Sequence, residues 1–204
     1  MPKRGCLIMN KIDPKKFRAS FTVLNLWATN RYEDAVRTYF KLDRYTSPEM
    51  EAGKKYHEEW ATYIDKHKQM PKLFGSHKLE VPIIEKKHVV AIYDWLDLVF
   101  IADLVHGGNT LTEFKTGKTT SGKYLDTGQL DLYALGLLFK DIAITKAEVY
   151  HYDQYKEKTD YSFKWVTDAD IKASLNWLET NAGEMYEYLQ QHDLFTKFAT
   201  ANNG

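Results

Sequence analysis

The sequence holds a single cysteine, Cys6, in 204 residues. One thiol excludes an internal disulfide framework, and it also excludes a four-Cys zinc site or a four-Cys iron-sulfur cluster within the chain. A reducing compartment fits. Neither sign of charge is in excess, with 28 Lys plus Arg against 28 Asp plus Glu. No global basic field therefore announces nucleic acid, and a polyanion would have to be met by a local patch or by bound metal. No window approaches the run of about 18 apolar residues that spans a bilayer. The first twenty residues have only the short stretch from Cys6 to Met9 as an apolar centre and no small-residue cleavage pattern, so no secretory signal is expected and the expected location is cytoplasmic. Repeats and domain linkers are also lacking. What is present is core material: 44% hydrophobic and 14% aromatic residues in a length suited to one domain, 1–204.

Residues 1–19 carry Lys3, Arg4, Lys11, Lys15, Lys16 and Arg18 against one acid, Asp13, and read as a solvated basic arm. From Ser20, a plausible N-cap, Phe21, Leu24 and Trp27 follow at helical spacing, and Tyr32, Val36, Tyr39 and Phe40 repeat the pattern. Thr46-Ser47-Pro48-Glu49 is a helix start, and the helix should run to about His67 with Gly53 and His57 on one face, a face suited to close approach. Strands are expected at 79–84, 89–93, 96–105 and 110–116, with Gly107-Gly108-Asn109 as a hairpin turn. A mostly apolar helix over 125–139, strands at 144–152 and 161–166, a long helix from Thr167-Asp168 to about 191 and a flexible tail, 192–204, complete the reading. Helices, then strands, then a helix, strands and a helix give a mixed α/β (α+β) fold: a mixed central sheet flanked by helices, with its core over about 20–166.

Chemistry concentrates in Leu111-Thr-Glu-Phe-Lys-Thr-Gly-Lys118. On a strand, Glu113 and Lys115 point to the same side, which joins a carboxylate that can hold a divalent cation to an ammonium that can orient a water. Taken alone, such a pair is an ordinary surface ion pair. Its company is less ordinary. Asp97 stands in an apolar strand, where an ionised carboxylate needs a partner, a metal or a shifted pKa. Downstream, Gln129 and Tyr133 form a polar pair four apart amid leucines. Upstream lies Gly53-Lys-Lys-Tyr-His57.

His, then Asp, then E-x-K-T-G, then Q-x-x-x-Y, in that order and on those element types, resembles the RecB-like branch of the PD-(D/E)XK nuclease superfamily, which includes the Cas4 proteins. The resemblance covers roughly residues 20–140. It implies a restriction-endonuclease-like αβββαβ core and a Mg2+ or Mn2+ site held by His57, Asp97, Glu113 and the backbone carbonyl of Phe114. Lys115 is then the water-positioning residue, with Asp97 and Glu113 the other catalytic groups. Gln129 with Tyr133 is then a supporting and substrate-facing pair, and Lys118 is also expected to bind substrate. Asp94 stands where the family usually has Gly, and Asp103 is the alternative strand ligand. The Cys ligands of the cluster found in many Cas4 proteins are absent, so no iron-sulfur cluster is expected.

Two rival motifs fail. Gly117 to Lys123 matches the start of a phosphate-binding loop, but Tyr124 replaces the hydroxyl residue that would bind magnesium. His57-Glu58 begins like a zinc-protease helix, but Ala61 stands where the second His should be. The expectation is therefore a divalent-metal-dependent DNA nuclease, an exonuclease or structure-dependent enzyme of recombination, repair or replication. Its partner is DNA, as single strands or ends more than intact duplex. The alternative is a non-catalytic module of the same fold that binds DNA or a partner protein.

Overall fold

The computed structural model describes residues 16–42 and 47–201. Cys6, Lys3, Arg4, Lys11, Asp13, Lys15 and Thr46 lie outside the described residues. The elements run β1 (Phe17–Ala19), α1 (Phe21–Ala28), α2 (Tyr32–Tyr39), α3 (Pro48–His67), β2 (Ile83–Tyr93), β3 (Leu96–His106), β4 (Thr110–Thr116), α4 (Ser121–Leu125), α5 (Gln129–Leu138), β5 (Lys146–Asp153), β6 (Lys158–Trp165), α6 (Asp168–Gln191) and α7 (Leu194–Ala201), with a 3-10 turn at Lys72–Phe74. The six strands form one mixed sheet, ordered β1-β3-β4-β5-β6 with β2 also on β3. The β1–β3 and β4–β5 pairs are parallel, and the other pairs are antiparallel.

Helix starts follow local chemistry. The Ser20 and Ser47 hydroxyls accept the amides of Val23 and Met50, and Thr167 and Asp170 form a reciprocal capping box at α6. Several expected boundaries move. The strand expected from Leu79 begins only at Ile83, since Pro82 has no amide to donate to a ladder. The helix expected over 125–139 divides into α4 and α5 at Gly128, whose φ of 75° no helical residue adopts. Residues 194–201, expected within a flexible tail, are helical, and Phe195 is buried against Tyr39, Phe40 and Tyr186. The end of the expected solvated arm is instead β1: Phe17 and Ala19 are wholly buried beside Leu96 and Leu98.

Two apolar layers enclose the sheet. The larger packs α1, α2, α5, α6 and α7 residues on Leu96, Leu98, Phe100, Ala102, Val105, Leu111, Ala147 and Val149. The smaller packs Trp60 and Ile64 of α3 with Phe74 on Leu104, Phe114 and Tyr150. β3 changes sides between them: its even residues face the larger core up to Ala102, whereas afterwards Val105 faces that core and Leu104 the smaller one. The change coincides with Glu85, which has φ 41° and, with Asp103, drops out of the β2–β3 pairing between Ile84↔Leu104 and Lys86↔Ala102.

β2 covers one edge of β3 almost throughout. The other edge is shared, by β1 at Leu96–Leu98 and by β4 at Leu104–His106. Between those pairings β3 and β4 part, and Asp103 lies at the fork.

Two of the flanking helices, α3 and α5, reach the sheet through glycine. A Cβ on Gly53 of α3 would stand 2.7 Å from Thr116 Oγ1, which is the close approach that face was expected to make. A Cβ on Gly136 of α5 would stand 3.1 Å from Leu98 Cδ2 and would overlap Phe100. Phe100 cannot retreat, being stacked between His88 and Tyr133 at 4.8 Å from each. Gly136→Ala should therefore destabilise the protein by about 1–3 kcal/mol through overpacking. Thermal unfolding followed by circular dichroism checks this, and an unchanged Tm would show that α5 can move off the sheet freely.

Candidate active site

Glu113, Phe114 and Lys115 occupy β4 where it leaves β3, and α3 and α5 reach this point from opposite faces. Alternation along β4 sends Glu113 and Lys115 toward α5 and Phe114 toward α3. Lys115 Nζ donates to Glu113 Oε1 at 2.7 Å and to Gln129 Oε1 at 3.3 Å. Gln129 Nε2 donates to the same Glu113 oxygen at 3.1 Å and to the Tyr133 hydroxyl at 2.8 Å. The expected pairs E-x-K and Q-x-x-x-Y are thus one connected network. Glu113 Oε2 is buried and has no hydrogen-bond partner.

Asp103 supplies the second carboxylate. Its Oδ2 accepts the Phe114 amide at 2.8 Å and lies 3.5 Å from His57 Nδ1 on α3. Past Thr112, β4 has no β3 partner, and this side chain takes the place of a ladder bond. Burial, reinforced by the Asp103 charge, pushes the Glu113 carboxyl up to about 7, against the opposing pull of Lys115 and His57. For Lys115 burial acts downward, but the Glu113 charge and hydrogen bond outweigh it and leave the ammonium above its ordinary value. His57 is likewise lowered by burial and raised by more through Asp103 and Glu113, for a net upward shift.

Asp97, expected as a metal ligand and catalytic group, is elsewhere. It pairs in register with Arg18 of β1, and its carboxylate is 3.0 Å from Lys16 Nζ and 3.6 Å from Arg18 Nε. It precedes the side change in β3, so it faces away from the core that α5 covers, whereas Asp103 follows the change and faces Glu113. Six residues of strand, roughly 20 Å, separate the two. The structure thus brings Asp103, and not Asp97, beside Glu113 and His57. The expected convergence on one point is not met either: among the described residues no three His, Cys, Asp or Glu side chains gather closely enough to enclose a metal ion. Lys118 is also apart, with its Nζ 5.0 Å over the Tyr155 ring at the β5–β6 turn.

Sequence reasoning missed Glu85. It lies opposite Asp103 in the β2–β3 ladder, so an exposed further acid stands beside the fork, its carboxyl raised by partial desolvation and by the Asp103 charge. Its only sequence signal was a lone acid next to Ile83 and Ile84 in a strand. His151 is an ordinary packed histidine with a supporting place: its Nε2 lies 2.9 Å from the Gly117 carbonyl oxygen and its Nδ1 2.5 Å from Asp160, which ties down the turn after Lys115. Gly117 has φ 120°, the left-handed region that glycine alone enters without strain.

No family model matches the sequence, and no curated protein matches it. Solved structures do. The alkaline exonuclease LHK-Exo from Laribacter hongkongensis superposes with a TM-score of 0.53 at 12% identity, over 87% of this chain and 93% of that one. The protein SSO0001 superposes with a TM-score of 0.55 at 14% identity, over 86% of this chain and 78% of that one. At such identities the likeness is one of fold, and the chain has the mixed α/β, restriction-endonuclease-like fold it shares with that exonuclease.

Proposed function

We propose that the chain is a divalent-metal-dependent DNA nuclease, an exonuclease or structure-dependent phosphodiester hydrolase of recombination, repair or replication. Glu113 carries the reading. One of its oxygens is held by Lys115 and Gln129, the other is buried without a partner, and a second acid stands beside it. Two neighbouring carboxylates with an unfilled acceptor suit a cation. The fold shared with an alkaline exonuclease and the resemblance of E-x-K-T-G and Q-x-x-x-Y to the RecB-like nucleases support the same conclusion.

Glu113, Asp103, the Phe114 carbonyl and His57 are the residues that would hold Mg2+ or Mn2+, as hard oxygen donors with one imidazole, their side chains closing on the ion from positions that do not converge without it. Such an ion supplies Lewis acidity toward a phosphoryl oxygen and a more acidic bound water. Lys115 orients the attacking water and offsets negative charge developing on the phosphate. Gln129 fixes Glu113 and Lys115 relative to each other, and Tyr133, stacked on Phe100, fixes Gln129. Lys118 and Tyr155 lie beyond the Gly117 turn, where a substrate strand leaving Lys115 would meet a cation and a ring.

The ligand assignment is tested by paired variants. Asp103→Asn should abolish both manganese binding in calorimetric titration and cleavage of single-stranded DNA. Asp97→Asn should retain both within a few-fold and lose some thermal stability, as Lys16 and Arg18 lose their partner. The reverse pattern returns the role to Asp97.

Lys115→Ala should lower single-turnover cleavage by at least about 100-fold while manganese still binds, because one charge-stabilising donor is worth about 2.7–4 kcal/mol in comparable sites. Cleavage at the wild-type rate would leave Glu113 and Lys115 as a structural ion pair and would remove the nuclease assignment.

Metal binding should also depend on pH with a definite sign. The Glu113 carboxyl, at about 7, and the raised His57 must both lose a proton to become ligands. Apparent manganese affinity should therefore rise from pH 5 and level off above about 7. Without metal, the linkage runs the other way: a folded carboxyl raised from 4.5 to about 7 makes stability fall as pH rises through that window. Glu113→Gln should lose that part of the fall, as read from denaturant midpoints at pH 5 and 8.

A further inference from the structure

Residues 117–120 connect β4 to α4, and Lys118, Thr119 and Thr120 among them are exposed. Both ends of this loop are tied to one pair of side chains on the next two strands. At its start the Gly117 amide donates to the Tyr152 carbonyl at 3.2 Å, and the Gly117 carbonyl oxygen lies 2.9 Å from Nε2 of His151 on β5. At its end the Ser121 amide and hydroxyl donate to Oδ2 of Asp160 on β6, at 2.7 and 2.5 Å. His151 Nδ1 and Asp160 Oδ1 are 2.5 Å apart and join the two ends, their residues being paired in register. Thr120, the N-cap residue of α4, makes no capping bond with its own side chain, so Asp160 accepts the first amide of that helix from another strand.

What each acceptor can do fixes the donors in this chain of bonds. Desolvation would raise the Asp160 carboxyl, but hydrogen bonds from Ser121 and His151 hold it below the usual carboxylate range, so it is ionised. A carboxylate and a carbonyl oxygen only accept, and His151 between them therefore donates at both ring nitrogens, with Asp160 as its counter-ion. His151 is 3% exposed, so bulk water does not replace either bond. We propose that His151 and Asp160 are a positioning pair that holds the 117–120 loop in the shape in which Lys118 meets a phosphate of the DNA strand. This rests on the nuclease reading, in which Lys118 binds substrate. A loop tied at both ends loses less freedom when a strand settles on it, so the pair acts on binding. It does not act on the chemical step, because Lys115 is placed independently: its backbone lies in the β4–β5 ladder, and its ammonium is held by Glu113 and Gln129.

The test is steady-state cleavage of oligothymidylate by the full chain with manganese, in His151→Phe, Lys118→Ala and the double variant. His151→Phe removes both donors and keeps a ring in the buried position. It should raise KM at least about tenfold with kcat within about threefold, the pattern of a lost binding contact. Lys118→Ala should raise KM as well, and adding His151→Phe to it should raise KM by no more than about twofold again, because the ring acts through the lysine. Hydrogen exchange at the amides of 118–120 should quicken in His151→Phe while the β4 and β5 amides keep their protection. Asp160→Ala, at a half-buried position on the edge strand, is the second variant where His151→Phe fails to fold, with the same rise in KM and the same non-additivity expected. Multiplying KM effects overturn the proposal, as does a fall in kcat at unchanged KM or a Lys118→Ala variant with wild-type KM. A wild type that cleaves nothing overturns the nuclease reading instead. The pair is then judged on oligothymidylate affinity: a loss shared non-additively by the same variants sustains it, and unchanged affinity overturns it.

Discussion

The site rests on one hydrogen bond, from the Phe114 amide to the Asp103 carboxylate. Where β4 leaves β3 its inward amides lose their ladder partners, and a buried amide without an acceptor costs about 1–3 kcal/mol. Asp103 meets that need with a charge-assisted bond, and in doing so its carboxylate is fixed next to Glu113. The same feature that keeps the sheet intact as its strands separate thus places two acids where they repel. Lys115 and His57 offset part of that repulsion. The rest persists as the raised Glu113 carboxyl, which is held there by backbone geometry that the side chains cannot relax.

Helix placement follows from this arrangement. Gln129 reaches Glu113 only because Gly136, two turns along α5, lets the helix settle on Leu98 and Phe100. His57 reaches Asp103 only because Gly53, one turn earlier in α3, lets that helix settle on Thr116. Each helix therefore carries a glycine for approach and a polar residue for the site. The two helices lie on different apolar layers, and the parting of β3 from β4 is what lets residues from both layers meet.

Much of this was legible in the sequence, because the signals were local. The start of α3, the Gly107–Asn109 turn, the E-x-K pair and the Gln129–Tyr133 pair depend on residues two to four apart, and their spacing carries over directly into geometry. The choice between Asp97 and Asp103 was not local. Strict alternation puts both on one face of β3, and nothing in the strand itself marks the change of side after Ala102. That change comes from Glu85 on the neighbouring strand, in a left-handed conformation that its residue type does not announce. Asp97 was correctly read as needing a partner, but its partners, Lys16 and Arg18, lay in a segment that composition alone presented as a solvated arm.

Burial by itself does not leave a carboxylate short of partners, as two glutamates on adjacent strands show. Glu148 on β5 is as buried as Glu113, but His106 and Thr112 lie against its Oε1 and Lys146 and Tyr161 donate to its Oε2. Burial would raise its carboxyl, but these hydrogen bonds and the Lys146 charge win and bring it down to about 2. Its negative charge is fully satisfied, and it serves as a structural anion beside the β3–β4 turn. Glu113 has donors on one oxygen only, an acid for a neighbour, and a carboxyl raised to about 7. With the depth of burial matched, the difference lies in the count of donors. A chain able to satisfy one buried glutamate on both oxygens leaves the other with an unfilled acceptor. The second acid, Asp103, stands close by at the fork, and in the proposed reading a cation is the partner that would satisfy both.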